Sequence, residues 1–174
     1  MSKNKKKIII ATGGTGGHVF PAYSLASYFL EKNISTEIVI DARGFKFIQH
    51  YNFPNIKIIN SSTIFKKNPI LFFQAFLKII YAFFKSFLFL IKSRPTILFG
   101  MGGYASFPIC LAAKILRIPF IIYESNLYIG KANKYLLPFS HKLFVAYKET
   151  EGILEKYISK KVEIGNIIRK EILN

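Results

Sequence analysis

The chain has 174 residues, half of them hydrophobic, which is enough for one ordinary domain with a buried core and excludes a disordered segment. A single cysteine, Cys110, excludes an internal disulfide and fits a reducing compartment. The formal charge of +16 draws the chain toward phosphate, whether on nucleic acid, anionic lipid or a diphosphate, although the richness in Lys, Ile, Asn and Phe also fits a general compositional bias.

A basic leader with Lys3, Lys5, Lys6 and Lys7 runs into Ile8, Ile9 and Ile10. That apolar run is too short for a signal peptide, and glycines follow where a cleavage site would be. Lys7–Thr12 is therefore read as a first strand, and no export is expected. Further strands are predicted at Glu37–Asp41, Lys57–Asn60, Thr96–Gly100, Phe120–Tyr123, Lys142–Ala146 and Lys161–Ile164. Helices are predicted at Pro21–Glu31, Pro69–Lys92, Ser106–Leu116, Lys131–Leu136 and Glu149–Tyr157. Strands that are apolar throughout imply a sheet covered on both faces, and their alternation with helices implies βαβ units. The expected fold is α/β, a Rossmann-like doubly wound parallel sheet, with residues 1–174 forming a single domain. Ligands of such sheets sit beyond the carboxyl ends of the strands.

After the first strand comes Gly13-Gly14-Thr15-Gly16-Gly17-His18, followed by Val19-Phe20-Pro21. Glycines let a ligand approach the main chain closely, and Pro21 suits the first turn of a helix, so the loop offers amides to an anion. Two common phosphate loops fail on spacing. Counting G-x-G-x-x-G from Gly14 puts Val19 in the last slot, and the P-loop ending Gly-Lys-Ser/Thr is here Gly17-His18-Val19. Asp41 ends the second strand where a ribose-binding acid would sit, but the spacing argues against a nicotinamide cofactor. His18, at the end of the loop, is a candidate proton acceptor; His50 and His141 lack such a setting and receive no role.

A second glycine turn, Gly100-Met101-Gly102-Gly103-Tyr104-Ala105-Ser106, follows the fourth strand on the same sheet edge. Two such loops meeting at one crevice point to a diphosphate or a large sugar phosphate. The fifth strand ends in Tyr123-Glu124-Ser125-Asn126, where a carboxylate and an amide are placed either to orient sugar hydroxyls or to cap the next helix.

The segment Ile70–Ile91 is long and apolar enough for a membrane span. At ~100° per residue, however, Gln74, Lys78, Tyr81, Lys85 and Lys92 fall in one stripe roughly 60° wide. Lysines near the middle of a span cost about 2.5–3.5 kcal/mol each. The stripe fits a helix laid on the sheet or in a membrane interface, and seven phenylalanines from Phe72 to Phe89 spread further round it than one sheet contact would cover. No nucleic-acid motif occurs, and none is expected as partner.

These motifs in their order resemble the N-terminal half of glycosyltransferase family 28, whose members have the two-domain GT-B fold. The resemblance runs from Gly13–His18 with Pro21-Ala22, through Gly100–Tyr104, Ser106, Pro108, Glu124, Asn126, Gly130 and Asn133-Lys134, to Gly165-Asn166 with Arg169. It implies an inverting transfer of N-acetylglucosamine from its UDP derivative to lipid I, the undecaprenyl-diphosphate-linked muramyl-pentapeptide, giving lipid II for peptidoglycan and thus serving cell shape and division. Thr15, Gly16, Gly17, Asn126 and Arg169 then match positions contacting the donor. Gly13, Gly14, Gly102 and Gly103 match the cradle of the acceptor diphosphate, with Tyr104 and Glu124 beside it, and His18 is the candidate general base. No cofactor or metal is implied. The resemblance also implies peripheral attachment to the cytoplasmic face of the inner membrane. The chain departs from the family in Tyr123 and Ser125, which replace a histidine and a glutamine, and in Ile167, which replaces a proline. It also ends where the family's UDP-sugar domain begins. The expectation is a domain inactive without that second half, supplied in the same polypeptide or by a partner chain; a non-catalytic membrane-anchoring subunit is the alternative.

Overall fold

The computed structural model describes residues 6–62 and 68–168. Seven strands, β1 (Lys7–Thr12), β2 (Ser35–Ile40), β3 (Ile56–Ile58), β4 (Ile97–Gly100), β5 (Phe120–Glu124), β6 (Lys142–Val145) and β7 (Lys161–Glu163), make one sheet. Their order is β3-β2-β1-β4-β5-β6-β7, and every pairing is parallel. Five helices accompany them: α1 (Gly16–Glu31), α2 (Ala42–Ile48), α3 (Pro69–Ser93), α4 (Ser106–Ile115) and α5 (Lys131–Leu136).

Strand side chains alternate between two cores. Ile8, Ile10, Ile38 and Ile40 pack with Val19, Ala22 and Ala26 of α1 and Ile48 of α2. On the opposite face Ile9, Ala11, Val39, Leu98 and Ile122 pack with Leu90 of α3, Ile109 and Ala113 of α4, and Leu136 of α5. Both faces of β1 are therefore dry, which is why its sequence shows no polar alternation. The chain changes sheet face between β1 and β4, which are neighbours. The helices that follow them cover opposite faces of the sheet, so the loops leading into them lie side by side at the switch point.

Three local expectations are corrected. First, α1 begins at Gly16, not Pro21, with Thr15 as N-cap. Pro21 lies inside the helix, where the group facing its ring is the Gly17 carbonyl of the first turn. Second, α2 is additional. Asp41 caps it, its Oδ1 accepting the Gly44 amide at 2.8 Å, but a glycine inside so short a helix hides the pattern. Third, no α-helix spans Glu149–Tyr157. Glu151 bridges to the loop after β5 through its main chain, exchanging bonds with Leu127 and Ile129, and only Glu155–Lys160 coils, as a 3-10 helix.

The long helix α3 starts at Asn68, whose Oδ1 accepts the Ile70 amide at 2.9 Å, and stops at Arg94 in the left-handed region. Its buried side is made of small residues, Ala75, Ala82 and Ser86, together with Leu90. Small side chains let α3 approach α4 closely. Phe83, Phe87 and Phe89 pack beside them, while other bulky residues point outward: Phe73, Phe84 and Leu88 are 59%, 58% and 66% exposed. Replacing Ala82 with Leu overfills the contact with α4 and is expected to cost about 1–3 kcal/mol in urea denaturation. Leu88→Ser on the outer side should stay within about 0.5 kcal/mol of the parent.

Candidate active site at the glycine loops

The loops after β1, β4 and β5 meet at one sheet edge, and α1, α4 and α5 all begin there. The first two loops interlock through their main chains. A Cβ on Gly103 would stand 2.5 Å from the Gly13 carbonyl oxygen, and one on Gly13 would stand 2.6 Å from both Ala105 Cβ and Asp41 Oδ1. Gly102 and Gly103 adopt φ of 89° and 75°, a region that favours glycine. Asp41 holds the first loop from beneath. Its Oδ1 also accepts the Gly14 amide at 2.9 Å, while Oδ2 pairs with Arg43 at 3.0 Å. Both oxygens thus hold the protein's own groups, two loop amides on Oδ1 and the Arg43 guanidinium on Oδ2.

His18 stands in the first turn of α1, and its ring lies against the second loop, where a Cβ on Gly102 would meet Nδ1 at 2.7 Å. Burial lowers its pKa from the ordinary 6.5, an effect opposed by the negative charge of Glu124 and by hydrogen bonding to the Met101 main chain. At neutral pH the imidazole is therefore uncharged and able to accept a proton.

Glu124 ends β5 and is 1% exposed. Its Oε1 accepts from the Asn126 amide at 3.1 Å and from Asn126 Nδ2 at 2.6 Å. Its Oε2 accepts from the Gly130 amide at 2.8 Å and from Asn133 Nδ2 at 2.9 Å. The carboxylate folds the third loop, the second of the two parts that its position at the end of β5 allows. Asn133 Nδ2 also donates to the Tyr123 carbonyl at 2.9 Å, which fixes the amide's orientation. Its Oδ1 is buried with no protein partner. Tyr123, in the place of the family's histidine, donates its hydroxyl to the Gly165 carbonyl and accepts the Ile167 amide, both at 3.2 Å.

A cleft of about 150 Å³ opens between these loops, walled by His18, Gly102, Gly103, Tyr104, Glu124, Asn126, Gly130, Lys131 and Asn133. The structure thus brings together His18, Gly102, Gly103, Tyr104, Glu124 and Asn126 from the sequence-derived set. Gly13 is buried behind the cleft, and Gly14 is tied to Asp41. Thr15 and Gly17 are exposed and, with Gly16, wall no part of it. Arg169 lies outside the described residues. Lys131 and Asn133 are additions. The signal for Lys131 was a cation in the first turn of the helix after the third loop; Asn133 was among the residues that carry the resemblance, but its unpaired acceptor had no local signature. Among the described residues no three His, Cys, Asp or Glu side chains are grouped to hold a metal ion. The first-turn amides of Gly16 and Gly17 have no intrahelical partner. They lie beside the cleft rather than in its wall, and a helix N-terminus of this kind favours an anion.

A parallel sheet of this order with three loops at its switch point is the N-terminal half of a GT-B glycosyltransferase. Residues 8–145 match the glycosyltransferase family 28 N-terminal domain, and the chain belongs to that family. It is 36% identical over 169 residues to the UDP-N-acetylglucosamine–N-acetylmuramyl-(pentapeptide) pyrophosphoryl-undecaprenol N-acetylglucosamine transferase of Pelagibacter ubique, covering 97% of this chain and 47% of the relative. Its likeness to the crystal structure of Acinetobacter baumannii MurG has a TM-score of 0.74 at 26% identity, over 91% of this chain and 45% of that one. The UDP-GlcNAc 2-epimerase of Methanocaldococcus jannaschii shares the fold alone, with a TM-score of 0.64 at 19% identity over 92% and 45% of the two chains. The chain spans about half the length of the curated relatives it matches.

The interlock sets an expectation. In Gly102→Ala the new methyl must displace the His18 ring and adopt a disfavoured φ, costing about 1–3 kcal/mol in thermal denaturation. The His18 ring resonances in NMR should shift in the same variant.

Proposed function

We propose that residues 1–174 are the acceptor-binding domain of an inverting N-acetylglucosaminyltransferase that converts lipid I to lipid II with UDP-N-acetylglucosamine. The observation that carries this reading is His18, held neutral beside a cleft that Lys131 also walls, in a chain whose relatives are named for this transfer. Gly13, Gly14, Gly102 and Gly103 shape the seat of the acceptor diphosphate, and Lys131 adds charge to it. The orphan Oδ1 of Asn133 accepts a hydrogen bond from the acceptor sugar. Thr15, Gly16, Gly17 and Asn126 contribute to the donor site, a part the resemblance gives to Arg169 as well, and most of that site belongs to the second domain of the relatives. In the reaction His18 takes the proton of the muramyl 4-hydroxyl as that oxygen bonds to C1 of N-acetylglucosamine. The C1–O bond to UDP breaks on the opposite side, and UDP leaves with the electron pair. A purely non-catalytic anchor is not favoured, because the family and its named relatives are transferases.

The same reading places the domain at the cytoplasmic face of the membrane. α3 is long and apolar enough to cross a bilayer, yet its side bearing Ala82 and Ser86 is buried on the domain. What remains outside is an apolar face of Phe73, Phe84 and Leu88, flanked by the exposed Lys78, Lys85 and Lys92. That pattern suits a helix lying in the headgroup region.

In a two-domain transferase carrying this domain, His18→Ala should lower kcat by about 10²–10⁴-fold with lipid I; a near-normal rate would remove His18 as base. Because burial lowers the His18 pKa, protonation and loss of activity are expected only below pH 6.5. The acid limb of kcat/KM should therefore lie under that value and vanish in the variant. Sedimentation with anionic vesicles should show binding at low salt that weakens as salt rises and drops in Phe84→Ser.

A further inference from the structure

Between α3, α4 and α5 lies an apolar groove of about 480 Å³. Phe76, Ile80 and Phe83 of α3 form one wall, Leu111 and Ile115 of α4 another, and among the described residues no charged side chain lines it. Tyr104 and Ala132 belong both to this groove and to the cleft that contains His18, Gly102 and Gly103. Phe76, Ile80 and Phe84 belong both to the groove and to the exposed apolar face of α3. A predominantly apolar path thus joins the outer side of the helix to the edge of the cleft, with Tyr104 and Ala132 at the junction.

A flat membrane contact needs only the outer face of α3. It gives no reason for apolar surface to continue inward between three helices and end beside the glycine loops. A diphosphate whose terminal oxygen is esterified to an isoprenoid has the matching order of polarity, anion first and hydrocarbon directly attached. Open apolar surface of this kind is otherwise unfavourable in a water-exposed domain. We propose that the groove holds the isoprenoid units nearest the diphosphate, so that the domain reads the lipid chain as well as its headgroup. The inference rests on the reading of the cleft as a lipid-diphosphate seat. It adds that the acceptor enters with the first part of its chain drawn out of the bilayer along α3.

The test is calorimetric titration of the full chain, in vesicle-free buffer, with inorganic diphosphate and with isopentenyl, geranyl and farnesyl diphosphates. A buried methylene contributes about 0.8 kcal/mol, close to a fourfold gain in affinity, so each unit that enters the groove should tighten binding by at least about tenfold. Ile80→Asn and Ile115→Asn, at positions 37% and 57% exposed, should flatten that dependence and leave inorganic diphosphate binding unchanged. Diphosphate binding that is independent of chain length would overturn the groove assignment and leave the cleft standing. Failure of every diphosphate to bind would overturn the cleft reading and the groove with it. Displacement of farnesyl diphosphate by lysophosphatidylglycerol at equal concentration would assign the groove to bilayer acyl chains and refute the proposal.

Discussion

The site depends on a main-chain contact between two loops far apart in sequence, at which the Gly13 carbonyl and the Cα of Gly103 lie too close for any side chain between them. Ordering so many glycines costs more backbone entropy than ordering other residues. Burial of β1 and β4 in the centre of the sheet offsets that cost, since the loops leave from neighbouring strands whose positions the two cores already determine. Asp41 completes the arrangement by capping α2 and holding the Gly14 amide with one oxygen. Gly44 sits under the same constraint, for a Cβ there would reach 3.0 Å from the Gly13 Cα. His18 inherits its position from this packing, because its ring fills the space that Gly102 leaves open.

Charge is arranged so that the cleft stays receptive to anions although it contains a carboxylate. Glu124 is saturated by four protein donors, so its charge serves to fold the third loop and to oppose the burial effect on His18. Lys131 and the start of α1 lie beside the cleft. Hydrophobic surface is arranged in the opposite sense from a soluble crossover helix. α3 turns Ala75, Ala82 and Ser86 inward with Leu90 and leaves Phe73, Phe84 and Leu88 largely exposed.

Most strands were legible to within a residue or two, because a sheet covered on both faces demands apolar runs whatever their exact partners. Helices without a helical pattern were not. α2 is short, contains Gly44, and is held by a cap that is visible only once Asp41 is known to end a strand. Pro21 misled in the other direction: proline is favoured in the first turn, but the preceding glycines were already helical. The stretch from Glu149 to Tyr157 is periodic enough for a helix, yet its main chain bonds to residues 127–129 instead, and a tertiary contact of that kind has no local signature.

The sequence by itself determined the family and the type of sheet, the glycine loops and the histidine, since each rests on residue types in a fixed order that tolerate few alternatives. It also placed a lysine stripe on a helix whose remaining surface is apolar. Only the tertiary structure decided what each of these touches. It gave Asp41 and Glu124 their loop-holding hydrogen bonds, left Asn133 with an unsatisfied acceptor, and joined an apolar groove to the cleft through Tyr104 and Ala132. The reason is that hydrogen-bond saturation and surface continuity are properties of groups brought together from distant parts of the chain, and neither is written in any local stretch of it.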